Sequence, residues 1–449
     1  NGCEAVWSGY GVTLAGACEV PINPVSTDDE IEWFRTIAKF SLVVTDRARA
    51  DRIRDLGLEV LLVDDIEPAN DDQTSAPIDA NAWGRLIFSS GTTGRPKGLV
   101  YTHGRRWLAN QMLKSVLPFS PQPGARTLLM TPYVHGAALQ TFAWLDHGGE
   151  VVLLNGIDVP HVTAFLESGT IEAVFAPPTV IAKFAELFGE RRFTGVRCVF
   201  TGTSTLTPGL YAKARAMFGP VVRITYGKGE NTNPITVLEP ADTEAYFRDE
   251  SAAEGACLGW PASGVEVATH DDTGARLPIN AEGEIWLRSR HMYIGHVDAQ
   301  GFQPVGDGGW HRTGDSGRID ERGRLWLLGR LADVIKSGGY KIYPQEIEAA
   351  LSGMPGCSQI GIASLPSEYW GEVIIAAADG VAANTDLAAS AASRLASLAR
   401  YKHPRAFIAL DALPRNAQGK LSRRDLRAAI LARYRLEDGP HPRLVALST

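Results

Sequence analysis

Ser89-Ser90-Gly91-Thr92-Thr93-Gly94-Arg95-Pro96-Lys97-Gly98 follows directly on the apolar run Leu86-Ile87-Phe88. Its glycines let the backbone turn N–H groups toward an anion, and its hydroxyls add further donors. Lys97 brings a mobile positive charge to the same loop. A strand that ends in such a loop suits a polyphosphate. A Walker loop ends in Gly-Lys-Ser/Thr. Here Pro96 replaces that glycine and Gly98 replaces the magnesium-binding hydroxyl. A P-loop kinase or ATPase is therefore disfavoured.

Outward from this loop, between residues 83 and 226, apolar runs alternate with helical spacing. The runs are 85–89, 127–132, 150–154, 173–176, 197–201 and 221–225; the helical stretches are 104–117, 138–146, 162–166, 180–188 and 207–218. This alternation predicts an α/β layer with a largely parallel sheet. After about residue 230 come short strands at 265–269, 283–288, 316–319 and 325–328. Turns such as Asp272-Thr273-Gly274 and Glu321-Arg322-Gly323 divide them and predict a strand-rich subdomain. From 332 the pattern becomes a small α+β unit. A helix over 345–351 is opened by Pro344 and closed before Gly353, and strands follow at 359–363 and 373–377. A helix over 387–398, a strand at 406–409 and a helix over 422–433 complete it. The fold class is α/β, with domains at 1–331 and 332–449.

Composition removes several function classes. The 449 residues carry 44 Lys plus Arg against 51 Asp plus Glu, a net charge of -7, so no basic surface points to nucleic acid. The five cysteines, Cys3, Cys18, Cys198, Cys257 and Cys357, form no C-x-x-C pair. That argues against a disulfide scaffold or zinc ribbon and for a reducing, cytoplasmic setting. No apolar run reaches the roughly 18 residues of a membrane span. His291, His296 and His311 lack the H-E-x-x-H spacing of a zinc site. The start, Asn1-Gly2-Cys3-Glu4, has no Met and reads as part of a folded element, which leads us to expect that the N-terminal domain lacks its beginning.

The loop at 89–98 resembles the signature of the adenylate-forming superfamily, which includes acyl- and aryl-CoA synthetases, peptide-synthetase adenylation domains and firefly luciferase. Further blocks appear in the family's order. Tyr226-Gly227-Lys228-Gly229-Glu230 resembles Y-G-x-T-E, and Trp310-His311-Arg312-Thr313-Gly314-Asp315 resembles the Y/W-x-x-T-G-D block. Gly329-Arg330 through Asp333, Lys336-Ser337-Gly338-Gly339 and Pro344-x-Glu346-Ile347-Glu348 resemble the hinge block. Residues 414–423, around Lys420, resemble the C-terminal catalytic-lysine motif. The resemblance implies a large N-terminal domain of several subdomains and a small mobile α+β C-terminal domain.

It also implies a reaction and roles. A carboxylate attacks the α-phosphorus of ATP with magnesium present, giving an acyl-adenylate and pyrophosphate. A thiol, usually of coenzyme A, then takes the acyl group. By resemblance Ser89, Ser90, Gly91, Thr92, Thr93, Gly94 and Lys97 hold the β- and γ-phosphates. Tyr226, with Gly227, lies against the adenine, Asp315 accepts the ribose hydroxyls and Arg330 lies beside it. Glu230 binds magnesium, a hard cation that prefers oxygen. Lys420 bridges the carboxylate and the α-phosphate. After rotation of the C-terminal domain, Lys336, Gly338 and Gly339 face the pantetheine arm. His135, Gly202 and Thr203 line the acid pocket, while His103 is read as capping or packing at a strand–helix junction.

Three departures stand out. Gly229 occupies the place of the family threonine, and Ala332 stands at the charged hinge position. Gly202-Thr203-Ser204-Thr205-Leu206 replaces a loop richer in glycine and alanine. The stretch 133–138 has no Asp, which disfavours an amino acid substrate. The compact run 265–288 has no insertion of the kind found in fatty acyl-AMP ligases, which favours thioester formation. The reading is an AMP-forming acyl- or aryl-CoA synthetase using ATP, magnesium and coenzyme A on a small carboxylic acid. The alternatives are a ligase loading a carrier-protein pantetheine and a catalytically impaired nucleotide-binding homologue. The oligomeric state is left open.

Overall fold

A computed structural model of the protein describes residues 1–66, 77–89, 95–250, 255–415 and 420–447. Five apolar strands form its centre: Arg126–Leu129, Glu150–Leu153, Ile171–Phe175, Cys198–Thr201 and Val222–Lys228, all paired in parallel. Asn231–Leu238 and Trp260–Pro261 add antiparallel strands on the far side of Val222–Lys228, making seven. The strands at 171–175 and 198–201 are nearly continuous apolar runs because helices cover both faces. Pro178–Phe188 and Pro208–Phe218 set Ile181, Phe184, Ala214 and Phe218 into the same core as Val174 and Val199. Pro208 suits a first helical turn, and Thr207 caps it by accepting from the Leu210 N–H.

The strand at 85–89 leaves the parallel layer in which the alternation placed it. Trp83–Ser89 pairs antiparallel with Lys97–Thr102 in a four-stranded sheet with Gly295–Asp298 and Gly301–Pro304. Ser89 and Lys97, which flank the phosphate loop in the sequence, pair across these two strands. A third, antiparallel sheet is ordered Ala256–Cys257, Leu325–Arg330, His311–Ile319, Gly283–Ser289 and Val265–His270. Its registers place Asp315 directly across from Arg330.

From residue 335 onward the chain builds separate cores. The strand Gly371–Asp379 is buried on both faces. Ile374, Ala376 and Ala378 point to Ile347, Leu351 and Ala391, while Val373, Ile375 and Ala377 point to Leu365, Leu426 and Ile430. This is the period-two alternation of a central strand. Tyr343 ties this part to the rest of the molecule: its hydroxyl binds Glu282 and lies 2.8 Å from Ser316 Oγ. Among the described residues no helix is long and apolar enough to cross a membrane.

His291 is buried in the strand-rich part, and burial, aided by Arg105, pushes its imidazole down to about 4. The folded state holds it neutral while the unfolded chain protonates near pH 6.5. Its contribution to stability is complete above about pH 6.5 and is lost as pH falls toward 4, a loss on the order of 3 kcal/mol. Melting temperature against pH is expected to fall less steeply over that window in His291→Asn than in the native chain. An equally steep limb in the variant would remove His291 as the cause.

Candidate active site

Asp315 lies at the centre of the site and is 5% exposed. Its backbone N–H donates to Thr313 Oγ1 at 3.0 Å, and the Thr313 hydroxyl donates to the Ile285 carbonyl at 2.7 Å. Gly314 takes a positive φ of 69° and donates its N–H to Glu284 at 3.1 Å. This turn aims the Asp315 carboxylate inward. The Tyr226 hydroxyl donates to Oδ2, Lys228 Nζ lies 3.1 Å from the same oxygen, and Arg330 Nε lies 3.2 Å from Oδ1. Burial raises the Tyr226 phenol well above its ordinary range, and Asp315 raises it further.

Lys420, from the C-terminal part, enters the same cluster. Burial lowers its ammonium pKa, and repulsion from Arg330 and Lys228 adds to this while Asp315 opposes it. Three cations therefore gather around one carboxylate. A site with that excess of positive charge fits the phosphate of a nucleotide and the carboxylate of an acid.

Glu230 follows Val222–Lys228 at the tip of the turn into Asn231–Leu238. Tyr101, buried on the strand after the phosphate loop, donates its hydroxyl to the Gly229 carbonyl at 2.6 Å. The Gly229 substitution has a packing reason. A Cβ there would stand 2.9 Å from Leu99 Cδ1, so Leu99 fills part of the space a threonine would need. Glu230 is close enough to raise the Tyr293 phenol, which burial and this charge together push up to about 12. Among the described residues no group of three or more His, Cys, Asp or Glu could hold a metal by itself. A single carboxylate of this kind fits magnesium, which is held by one or two carboxylates and substrate phosphates.

The remaining expected site residues divide. Ser90, Gly91, Thr92, Thr93 and Gly94 lie outside the described residues, as does the side chain of His135. Lys97 donates to His296 Nε2 at 3.2 Å and lies 3.6 Å from Asp298 Oδ2. Gly202 passes so near strand Val222–Lys228 that a Cβ would meet the Thr225 carbonyl at 2.5 Å, and Thr203 follows at φ 69°, a strained value for threonine. Lys336, Gly338 and Gly339 are exposed on the hairpin Ile335–Ser337 to Tyr340–Ile342, whose backbone bonds to Glu372 and Trp370. His103 is a packing residue rather than a cap: Thr102 caps the helix His103–Ser115, and Gly84 lies against the imidazole ring.

Sequence reading passed over Lys228, Glu284, Tyr101 and the pair Tyr293–His311. Lys228 had a signal, since it lies two residues from Tyr226 on one strand and so shares its face. The others act through contacts between distant segments and carry no local mark.

The family described as AMP-binding enzyme matches residues 1–296, and the AMP-binding enzyme C-terminal domain matches residues 346–420. A 4-coumarate–CoA ligase-like protein of Oryza sativa subsp. japonica is 28% identical, over 95% of this chain and 81% of its own length. A 2-succinylbenzoate–CoA ligase of Bacillus pumilus is 30% identical, over 78% of this chain and 70% of its own. The structure of o-succinylbenzoate CoA synthetase from Bacillus subtilis, in complex with its acyl-adenylate intermediate, superimposes with a TM-score of 0.83. It is 26% identical and covers 95% of this chain and 86% of its own.

Proposed function

The chain belongs to the AMP-binding enzyme family, and on that premise we propose that it joins a carboxylic acid to coenzyme A through an acyl-adenylate. A carboxylate oxygen bonds to the α-phosphorus as the bond to pyrophosphate breaks. The thiol then bonds to the activated carbonyl carbon and AMP leaves. The observation that supports this reading is the cluster of Asp315 with Tyr226, Lys228 and Arg330, whose charges reach the largely buried ammonium of Lys420. Positioned cations of this kind stabilise the charge that gathers on phosphate oxygens.

Each residue has a part. Asp315 accepts the ribose hydroxyls, with Arg330 beside it, and Tyr226 and Gly227 lie against the adenine. Lys420 offsets the approach of two anions. Ser89 and Lys97 flank the phosphate loop. Glu230 holds magnesium, which when bound draws charge from the phosphates. Lys336, Gly338 and Gly339 serve the thioester step. His135, Gly202 and Thr203 border the acid. We divide the chain into a domain at 1–331 and a mobile domain at 332–449. The unpaired cysteines favour a reducing compartment, and we place the protein in the cytoplasm.

The acid is an aryl or other bulky cyclic carboxylic acid. The small residues of 202–206 and the names of two relatives support this class, and the absence of an Asp in 133–138 disfavours an amino acid. The test incubates the protein with Mg-ATP, coenzyme A and a panel of chain, aryl and polycyclic acids. Mass spectrometry reads AMP, acyl-AMP and acyl-CoA. An acyl-CoA from aryl members is the expected product. Acyl-AMP without acyl-CoA would point to a carrier-protein acceptor, and no AMP from any acid would defeat the reading.

A further inference from the structure

His311 opens the strand that carries Thr313 and Asp315. Its Nδ1 lies 3.1 Å from the Tyr293 hydroxyl, and the two rings meet edge to face with centroids 5.4 Å apart. Tyr293 is itself fixed. Its N–H donates to the Glu230 carbonyl at 2.9 Å, and its carbonyl accepts from Arg105 at 3.1 Å. Glu230 is thereby tied through backbone to the residue that orients the imidazole. Nε2 of His311 is buried and has no hydrogen-bond partner among the described residues. A buried polar nitrogen without a partner is costly, and an apolar side chain of similar size would avoid that cost. The backbone bond from Tyr293 sets the ring beside the Glu230 turn, and the strand that begins at His311 leads to Asp315 four residues on.

We propose that His311, oriented by Tyr293, is a further substrate-binding residue whose Nε2–H donates to a phosphate oxygen of ATP beyond the α-position. This rests on the ligase reading above. We assign the neutral tautomer in which Nδ1 accepts from the Tyr293 hydroxyl, which places the ring proton on Nε2. A neutral donor adds a hydrogen bond to the phosphates without adding a fourth cation to a crowded site. AMP has no such oxygen, so the contact separates the triphosphate from the nucleotide that the second half-reaction releases.

The test compares the native chain with His311→Phe, which keeps a ring and removes both nitrogens. Melting temperature is measured without ligand, and calorimetry gives dissociation constants for AMP and for a magnesium-bound ATP analogue that cannot be cleaved between the α- and β-phosphates. The variant is expected to melt near the native temperature, since removal of the unpartnered Nε2 offsets the loss of the bond between Nδ1 and the Tyr293 hydroxyl, and to bind AMP as before. It is expected to bind the magnesium–triphosphate analogue about tenfold more weakly, the loss of one hydrogen bond to a charged acceptor. Tyr293→Phe, which frees the imidazole, is expected to shift the analogue in the same direction by less. Unchanged analogue binding in His311→Phe would overturn the proposal and leave an ordered water as the partner of Nε2. Equal weakening of AMP and analogue would overturn it too, since the contact would then not be to the outer phosphates. A native chain that binds neither nucleotide would instead bring down the ligase reading.

Discussion

Lys420→Ala is expected to slow acyl-adenylate formation on the order of 10²-fold or more, while the thioester step from supplied acyl-adenylate keeps nearly its native rate. The reason is electrostatic. In the first half-reaction a carboxylate approaches a phosphate, and two anions must meet. Lys420 is delivered to the place where Asp315, Lys228 and Arg330 already converge. A cation placed there in a site closed to water stabilises the developing charge without reorganising. In the second half-reaction no such meeting of anions occurs, because the phosphate departs with its charge. The two rates are read separately, by pyrophosphate exchange and by coenzyme-A-dependent consumption of synthetic acyl-adenylate. Equal losses in both would sink this division of labour. The lowered pKa of Lys420 adds a pH signature. The ammonium is lost at lower pH than in a free lysine, so kcat/KM for adenylation falls as pH rises through that lowered value. Lys420→Arg keeps its charge, and its alkaline limb is expected to move upward.

The legible part of this protein was the part with local chemistry. The apolar runs at 173–176 and 197–201 read as buried strands, and Pro344 marked a helix start because proline costs little in a first turn. Partner choice was not legible. The run at 85–89 has the same apolar texture as the parallel strands, yet it pairs antiparallel with 97–102. The strand Asn231–Leu238 and the helix Pro240–Asp249 escaped notice, since the helix is polar and the strand follows the Glu230 turn without a pause. The same boundary runs through the site. Asp315 and Arg330 sit in recognisable blocks, and the sheet register brings them face to face. Glu284 and Tyr101 owe their positions to contacts across the fold, which spacing along the chain does not encode.

Asp315→Asn is expected to damage stability and nucleotide binding together, and a second substitution separates the two. Asparagine keeps the shape of the side chain and removes its charge. Lys228, 9% exposed, then loses its carboxylate, and the Tyr226 hydroxyl loses its charged acceptor. Arg330 is 46% exposed and recovers most of its loss from water, so it adds little. Removing one partner of a buried pair typically costs about 3–5 kcal/mol, and the Lys228 contact places Asp315→Asn near the lower end. In the proposed role the carboxylate also accepts the ribose hydroxyls, and losing two charge-assisted hydrogen bonds is expected to weaken AMP on the order of 10²-fold. Lys228→Met in the same chain removes the orphaned charge. Urea unfolding of Asp315→Asn/Lys228→Met is expected to recover much of the lost stability, because a buried pair replaced by uncharged groups of similar volume is often close to neutral. Calorimetric titration with AMP is expected to show no such recovery, since no carboxylate has returned to the ribose. Recovery of AMP affinity alongside stability would mean that Asp315 serves only to neutralise Lys228. Native AMP affinity in Asp315→Asn itself would place the ribose elsewhere in the site.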